Sequence, residues 1–234
     1  LTDSRPTLLV TRPAAQARRF AESFAARFGE DWPKLLAPMQ QIVARSVQVP
    51  EARELVFTSE NAVAAFAALS PAAGRRAWCV GARTAVAAAR AGFAPVTGPG
   101  DGAALACAII GAAPHPPLLV ARGAHQAFDI AHVLNLAGIE TFSACVYTQE
   151  SLPLPAAAKA LLAAHSPLLV PLFSPRSAQL FAQAAQRARA PLWVAALSPA
   201  VAESCADLHP ARLRIAVSAN AESMLDTLAK LVAG

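Results

Sequence analysis

Charge is scarce in this sequence: Asp, Glu, Lys and Arg make up 15% of its 234 residues, against roughly 25% in an average domain. With 55% hydrophobic residues, that scarcity excludes disorder, because such a chain buries enough apolar surface to offset its ordering entropy. Long apolar runs are missing as well. None approaches the ~18 residues of a bilayer span, so the abundant alanine is no membrane signal. Cysteine is sparse and dispersed: Cys79, Cys107, Cys145 and Cys205 form neither a C-x-x-C nor a Cys/His cluster at zinc spacing. Three of the four fall in apolar stretches, where a thiol acts as a small core residue. Aromatics are 6% and the arginines scattered, unlike the basic stripe with stacking rings that nucleic acid demands. There is no G-x-G-x-x-G after a strand, no G-x-x-x-x-G-K-[ST] and no G-x-S-x-G, which argues against dinucleotide, P-loop and serine-hydrolase chemistry. No cysteine has a recognisable histidine partner. The opening LTDSRPT runs straight into a strand without an apolar signal region, which predicts a cytoplasmic protein.

What is present begins with a net charge of +5, carried by 17 arginines and only three lysines (Lys34, Lys159, Lys230). GC-rich coding explains that skew, and so does a preference for carboxylate or phosphate partners. An internal repeat is more informative. LLVTRPAAQA (8–17) matches LLVARGAHQA (118–127), TSENAVAAF (58–66) faces FSPRSAQLF (173–181), and Trp78 faces Trp193. The matches are collinear and share Trp, Phe, Arg and Gln, so a duplicated domain is predicted; two copies are too few for a solenoid. Within each half, short apolar strands such as LLVT (8–11), LVFT (55–58), WCVG (78–81) and FAPVT (93–97) alternate with amphipathic helices, one marked by Phe20, Phe24 and Phe28. That alternation predicts two similar parallel-sheet α/β domains.

Ligands of parallel α/β sheets bind beyond the carboxyl ends of the strands. Those ends carry Thr11-Arg12, Thr58-Ser59-Glu60-Asn61, Gly81 with Arg83-Thr84, Arg122-Gly123, Ser174-Pro175-Arg176-Ser177 and Ser198-Pro199. Hydroxyls there cap helices, and the free N–H groups of the same helix starts bind anions. Six such ends favour a ligand with several carboxylates or phosphates. His125, Asp129 and His132 fall at i, i+4 and i+7, yet no fourth metal ligand is evident and a solvated helix face is the simpler reading. Tyr147, the only tyrosine, ends the apparent strand 141–147, either holding a hinge or projecting into an interdomain cleft.

The order TRP, TS-x-NAV, VG-x-x-TA, a strand ending in RG, VY before a connection, SPRSA and SPAVA resembles the uroporphyrinogen-III synthase family over residues 8–230. The resemblance implies two α/β domains joined by a two-stranded linker, 1–38 plus 148–234 and 39–147, with the active site in the interdomain cleft. The first β/α unit of each half would be exchanged between the domains. It implies a reaction without cofactor or metal, in a monomer that closes on its substrate. Linear hydroxymethylbilane, handed over by hydroxymethylbilane synthase, loses water and closes with inversion of ring D, giving uroporphyrinogen III. By motif, Tyr147 would assist departure of the hydroxyl. Thr84, Ser59, Ser174, Ser177 and Arg12 would bind substrate, and Thr11, Asn61, Gly81, Gly123, Arg176 and Ser198 join them from the strand ends. Arg12 is equally suited to a structural salt bridge. Val201 stands where family members often carry a threonine, leaving Ser198 to substitute or the contact dispensable. The competing reading is a non-catalytic two-domain binder of a polyanionic small molecule. Neither nucleic acid nor membrane is an expected partner.

Overall fold

The computed structural model describes residues 5–126 and 128–234; the opening segment 1–4 lies outside the described residues. The chain begins with strand β1 (Thr7–Val10), helix α1 (Ala14–Phe28), β2 (Lys34–Leu36), β3 (Gln40–Ala44), β4 (Glu54–Phe57) and α2 (Glu60–Ala67). It continues through β5 (Arg76–Cys79), α3 (Ala82–Arg90), β6 (Ala94–Thr97), α4 (Gly102–Gly111), β7 (Leu118–Gly123), α5 (Ile130–Leu136) and β8 (Thr141–Ser151). Then follow α6 (Ala156–Ala163), β9 (Leu168–Leu172), α7 (Pro175–Ala185), β10 (Leu192–Ala196), α8 (Pro199–Glu203), β11 (Arg212–Ile215) and α9 (Ala221–Ala233). Contacts divide it into two compact units, Leu1–Gln41 with Glu150–Gly234, and Ile42–Gln149.

The first unit is built on a five-stranded sheet of order β11-β10-β9-β1-β2, the second on a six-stranded sheet of order β3-β8-β7-β4-β5-β6. The pairings of β1, β2, β9, β10 and β11, and those of β4 through β8, are parallel. Read from β11 and from β6 respectively, the two orders place corresponding strands of the repeat alike, and the second sheet adds β3 at its far edge. β1 sits among strands of the second half, and β7 among strands of the first. The first two strands of each copy, β1 and β2 in one and β7 and β8 in the other, lie in the sheet built chiefly by the other copy.

Both faces of each sheet are covered, which is why the strands read as unbroken apolar runs. In the first unit Leu9, Val170, Leu172, Val194 and Ala196 face α6–α8, while Leu8, Val10, Leu169 and Ala195 face α1 and α9. In the second, Leu55, Phe57, Leu119 and Ala121 face α2 and α3, and Val56, Trp78, Leu118 and Val120 face α4 and α5. Phe57 is fully buried, with Phe66 and Phe93 edge-on at 5.8 and 5.2 Å. Truncating such a ring costs about 3–5 kcal/mol, so the last residue of β4 is firmly anchored where the chain turns into α2.

Three local expectations change. Strand β8 does not stop at Tyr147 but continues to Ser151, because β3 lies beside it. Only Cys79 and Cys205 are buried; Cys145 is half-buried and Cys107 exposed. Helix α5 starts at Ile130, so Asp129 is its cap, accepting from the His132 amide at 3.1 Å, and His125 precedes the helix altogether. The three residues therefore share no helical face. Among the described residues no helix is long and apolar enough to cross a membrane.

At the amino end of β4 one carboxylate is buried. Glu54 is 3% exposed and accepts from Trp78 Nε1 at 2.6 Å, His115 Nδ1 at 2.9 Å and the His115 amide at 3.1 Å, with Arg76 at 3.8 Å. Burial pushes its pKa up, but the hydrogen bonds of Trp78 and His115 and the charge of Arg76 outweigh burial and hold it below the ordinary glutamate value of 4.5. A depressed carboxylate contributes stability that is complete above its unfolded pKa and disappears as pH falls through the folded one. Glu54→Gln should therefore lower stability at pH 7 by about 1–3 kcal/mol and flatten the acid side of the stability curve. Thermal melts of both proteins between pH 7 and pH 3 measure this; parallel curves would contradict it.

Candidate active site

The carboxyl ends of β4, β5 and β7 in the second unit surround a cavity of about 420 Å³. Thr58 and Ser59 enter it from the end of β4, Val80 from β5, and Val120 and Arg122 from β7. Gly100, Asp101 and Gly102 bring the start of α4; His125, Gln126, Phe128 and Ile130 bring the passage into α5; Tyr147 comes from β8.

Tyr147 reaches the cavity through a fault in strand pairing. Leu118 through Arg122 pair in step with Thr141 through Cys145, but Gly123 pairs with Tyr147, so Val146 is an extra residue on β8. A slip of one residue turns every later side chain to the other face. Tyr147 accordingly joins Ala144 and Val146 in one apolar cluster, against the alternation of a regular strand. The ring is 6% exposed, and its hydroxyl lies 3.2 Å from Ser59 Oγ. The Ala124 amide donates to the Tyr147 carbonyl at 3.0 Å.

Ser59 is the N-cap of α2, its Oγ accepting from the Ala62 amide at 3.1 Å. The phenol and the first turn of a helix are thus joined by one hydroxyl. Arg122 is held from behind, Nε donating to Ser143 Oγ at 2.8 Å and Nη1 to the Gly123 carbonyl at 3.1 Å. Phe128, 39% exposed, lies against the start of α4, where a Cβ on Gly102 would come within 3.2 Å of its ring. Asp101 caps α4 through the Ala104 amide at 2.8 Å. The cavity therefore combines apolar walls, the Arg122 cation, the starts of α2 and α4, the Asp101 carboxylate committed to capping α4, and one phenol. It suits an apolar ring bearing anionic arms.

No group of three or more His, Cys, Asp or Glu among the described residues is placed to hold a metal ion. Burial pushes the Cys79 thiol up to about 11 and that of Cys205 upward as well. Both stay protonated at neutral pH, which removes them as nucleophiles.

The family model for uroporphyrinogen-III synthase HemD matches residues 29–226. The chain belongs to the uroporphyrinogen-III synthase family. This is a family of cofactor-independent cyclising lyases of tetrapyrrole biosynthesis. The fold is similar to that of uroporphyrinogen-III synthetase from Helicobacter pylori 26695, with a TM-score of 0.70 and 15% identity over 97% of this chain and 100% of that one. A mutant uroporphyrinogen III synthase from the extremely thermophilic bacterium Thermus thermophilus gives 0.52 and 16% over 97% and 99%. No curated protein sequence matches significantly.

Of the residues singled out by uroporphyrinogen-III synthase motifs and strand ends, Thr58, Ser59, Arg122 and Tyr147 line the cavity, and Gly123 lies beneath the tyrosine ring. Gly81 is the extended N-cap of α3, and a Cβ built on it would lie 3.7 Å from Gly100 Cα. Thr84 is buried in the first turn of α3, and Asn61 sits in the first turn of α2. The others belong to the first unit. Thr11 is 0% exposed, its hydroxyl without a hydrogen-bond partner among the described residues. The Arg12 guanidinium stacks 3.9 Å over the Phe173 ring. Ser174 and Ser177 cap α7 reciprocally, Arg176 lies between them, and Ser198 caps α8 without a side-chain bond. Val201 is 2% exposed within the apolar core, so at this position the protein uses packing in place of a hydroxyl.

The sequence marks Arg122 only as a strand end and His125 only as one of three residues at helical spacing, and no family motif marks Gln126, Phe128 or the Gly100–Gly102 turn as wall residues. The glycine-rich GPGDG (98–102) ahead of α4 was the signal for the last of these. His125, Gln126 and Phe128 sit between β7 and α5, on a stretch that the repeat aligns with the start of α1 in the first copy.

Ser59 is predicted to serve both helix and phenol. Ser59→Ala should cost about 1 kcal/mol of stability and Ser59→Gly only a few tenths, yet both should lower turnover alike, because both remove the hydroxyl beside Tyr147. Melting temperatures and steady-state rates separate the two roles; turnover that follows stability instead would leave Ser59 a cap only.

Proposed function

We propose that this chain cyclises hydroxymethylbilane to uroporphyrinogen III with Tyr147 as the group that assists loss of the hydroxyl. The observation that carries the assignment is the phenol in the cavity, 3.2 Å from Ser59 Oγ. The Ala62 amide donates to Ser59 Oγ, and in the proposed mechanism Ser59 donates in turn to the phenol oxygen, which leaves the phenol proton for the substrate. Such chains polarise one another, and the positive end of α2 favours charge developing on the phenolate.

The phenol proton leaves with the substrate hydroxyl as water, which breaks the carbon–oxygen bond and generates an azafulvene-type cation on ring A. The substituted carbon of ring D attacks that carbon, and the spiro intermediate fragments and recloses with ring D inverted. Aromatisation of the closing pyrrole carbon releases one proton, which returns to the phenolate, so the net loss is one water. Arg122 and the amides at the starts of α2 and α4 are assigned to substrate carboxylates. Arg122 offers a planar donor array suited to carboxylate. Uncatalysed closure gives the uninverted isomer, so holding the flexible bilane accounts for much of the specificity. The protein is proposed to act in the cytoplasm as a monomer that receives the bilane from hydroxymethylbilane synthase.

Coupled to hydroxymethylbilane synthase, the protein should shift the product from uroporphyrinogen I to isomer III, as read by chromatography after oxidation. Tyr147→Phe should lower kcat by about 10²- to 10⁴-fold, the range of general acid catalysis, with little change in melting temperature. Product that remains isomer I with the unmodified protein would return the chain to a non-catalytic binder of polyanions. Activity that survives Tyr147→Phe would leave positioning as the whole of catalysis.

A further inference from the structure

The reach of the Tyr147 hydroxyl toward Ser59 depends on what lies under the ring. A Cβ built on Gly123 would stand 2.6 Å from Tyr147 Cζ, 2.8 Å from Cε2 and 2.9 Å from the phenol oxygen. All three distances are shorter than any side-chain contact tolerates, and all three involve the reactive end of the ring. The backbone of Gly123 is not in the left-handed region, so glycine is needed there for space and not for conformation. Gly123 is also the residue at which β7 falls out of step with β8, and it is the one that pairs with Tyr147. Its carbonyl accepts from Arg122 Nη1 at 3.1 Å, and the next amide, of Ala124, donates to the Tyr147 carbonyl at 3.0 Å. The strip of backbone under the ring is thus fixed at both ends. Gly123 is absent from the cavity wall, whereas its neighbour Arg122 is part of it.

We infer that Gly123 is a positioning residue for Tyr147 and not a contact for substrate: its missing side chain is the slot in which the phenol lies. The inference rests on the role proposed for Tyr147 above. A methyl group at position 123 lifts the ring from the strand and moves the hydroxyl away from Ser59, while the walls that hold the bilane stay where they are. The effect therefore falls on the chemical step.

Tyr147 is the only tyrosine, so protein labelled with ¹³C at tyrosine Cζ gives one resonance, which reports the phenol directly and without substrate. Gly123→Ala should move that resonance in the same protein in which kcat falls about 10- to 100-fold, the scale of a misplacement of about 1 Å, with KM within about threefold. In a Tyr147→Phe background Gly123→Ala should lower kcat no further. The stability cost of Gly123→Ala should also vanish in Tyr147→Ala, where no ring remains to be displaced; this comparison serves even if the single variant folds poorly. An unmoved resonance, a rise in KM with kcat preserved, or stability penalties that simply add would overturn the inference. A moved resonance with Tyr147→Phe fully active would leave the slot standing and overturn the role given to the phenol instead.

Discussion

The slip of one residue between β7 and β8 governs the chemistry of the second unit. Were the pairing regular through Gly123, its partner would be Val146 and the tyrosine would face away from Ala144 and Val146. The extra residue brings Tyr147 onto the side where β4 ends, and the end of β4 is fixed by Phe57, packed between Phe66 and Phe93. Ser59 follows two residues later as the cap of α2. A displaced ladder and a rigid aromatic cluster thus converge on one contact between two hydroxyls. Each residue alone is ordinary; the register makes them a site.

Much of the architecture was readable beforehand, because it depends on patterns that survive averaging over many residues. Unbroken apolar runs meant strands covered on both faces, and the phenylalanine spacing of α1 meant a helix packed on a sheet. The repeat gave two similar parallel sheets. What escaped the sequence depends on single residues. A register slip leaves no composition signal, since Val146 and Tyr147 suit a regular strand as well as a bulged one. The extension of β8 to Ser151 depends on a neighbour, β3, that is distant along the chain. Among the proposed binding residues, Ser59 and Tyr147 could be named from motif, but the buried state of Thr11 and the packing of Val201 follow only from the core around them.

The abundance of arginine has a structural side as well. Arg76 lies 4.3 Å from the ring centre of Trp78, and Arg212 lies 4.0 Å from that of Trp193. These are the two tryptophans that the repeat relates. Arg12 is stacked in the same manner on Phe173. A guanidinium is planar and weakly hydrated, so it covers an aromatic face at less cost than an ammonium does. Part of the positive charge is therefore the outer layer of the sheets. The hydroxyls at strand ends are similarly committed: Ser59 and Ser174 each hold a helix start, as do Asp101, Asp129 and Asn220.

The exchange of opening strand pairs between the two copies has a consequence for the chain as a heritable object. β1 lies between β9 and β2, and β7 between β4 and β8, so each half of the sequence supplies an inner strand to a sheet made chiefly by the other. Cut between the copies, the polypeptide yields two pieces, one missing the inner strands β8 and β7 of the six-stranded sheet and the other missing β1 and β2 of the five-stranded one. Two once-separate copies arranged this way are bound by reciprocal loan, like a swapped dimer whose protomers were later fused. Neither copy can be lost, shortened or replaced without dismantling both sheets.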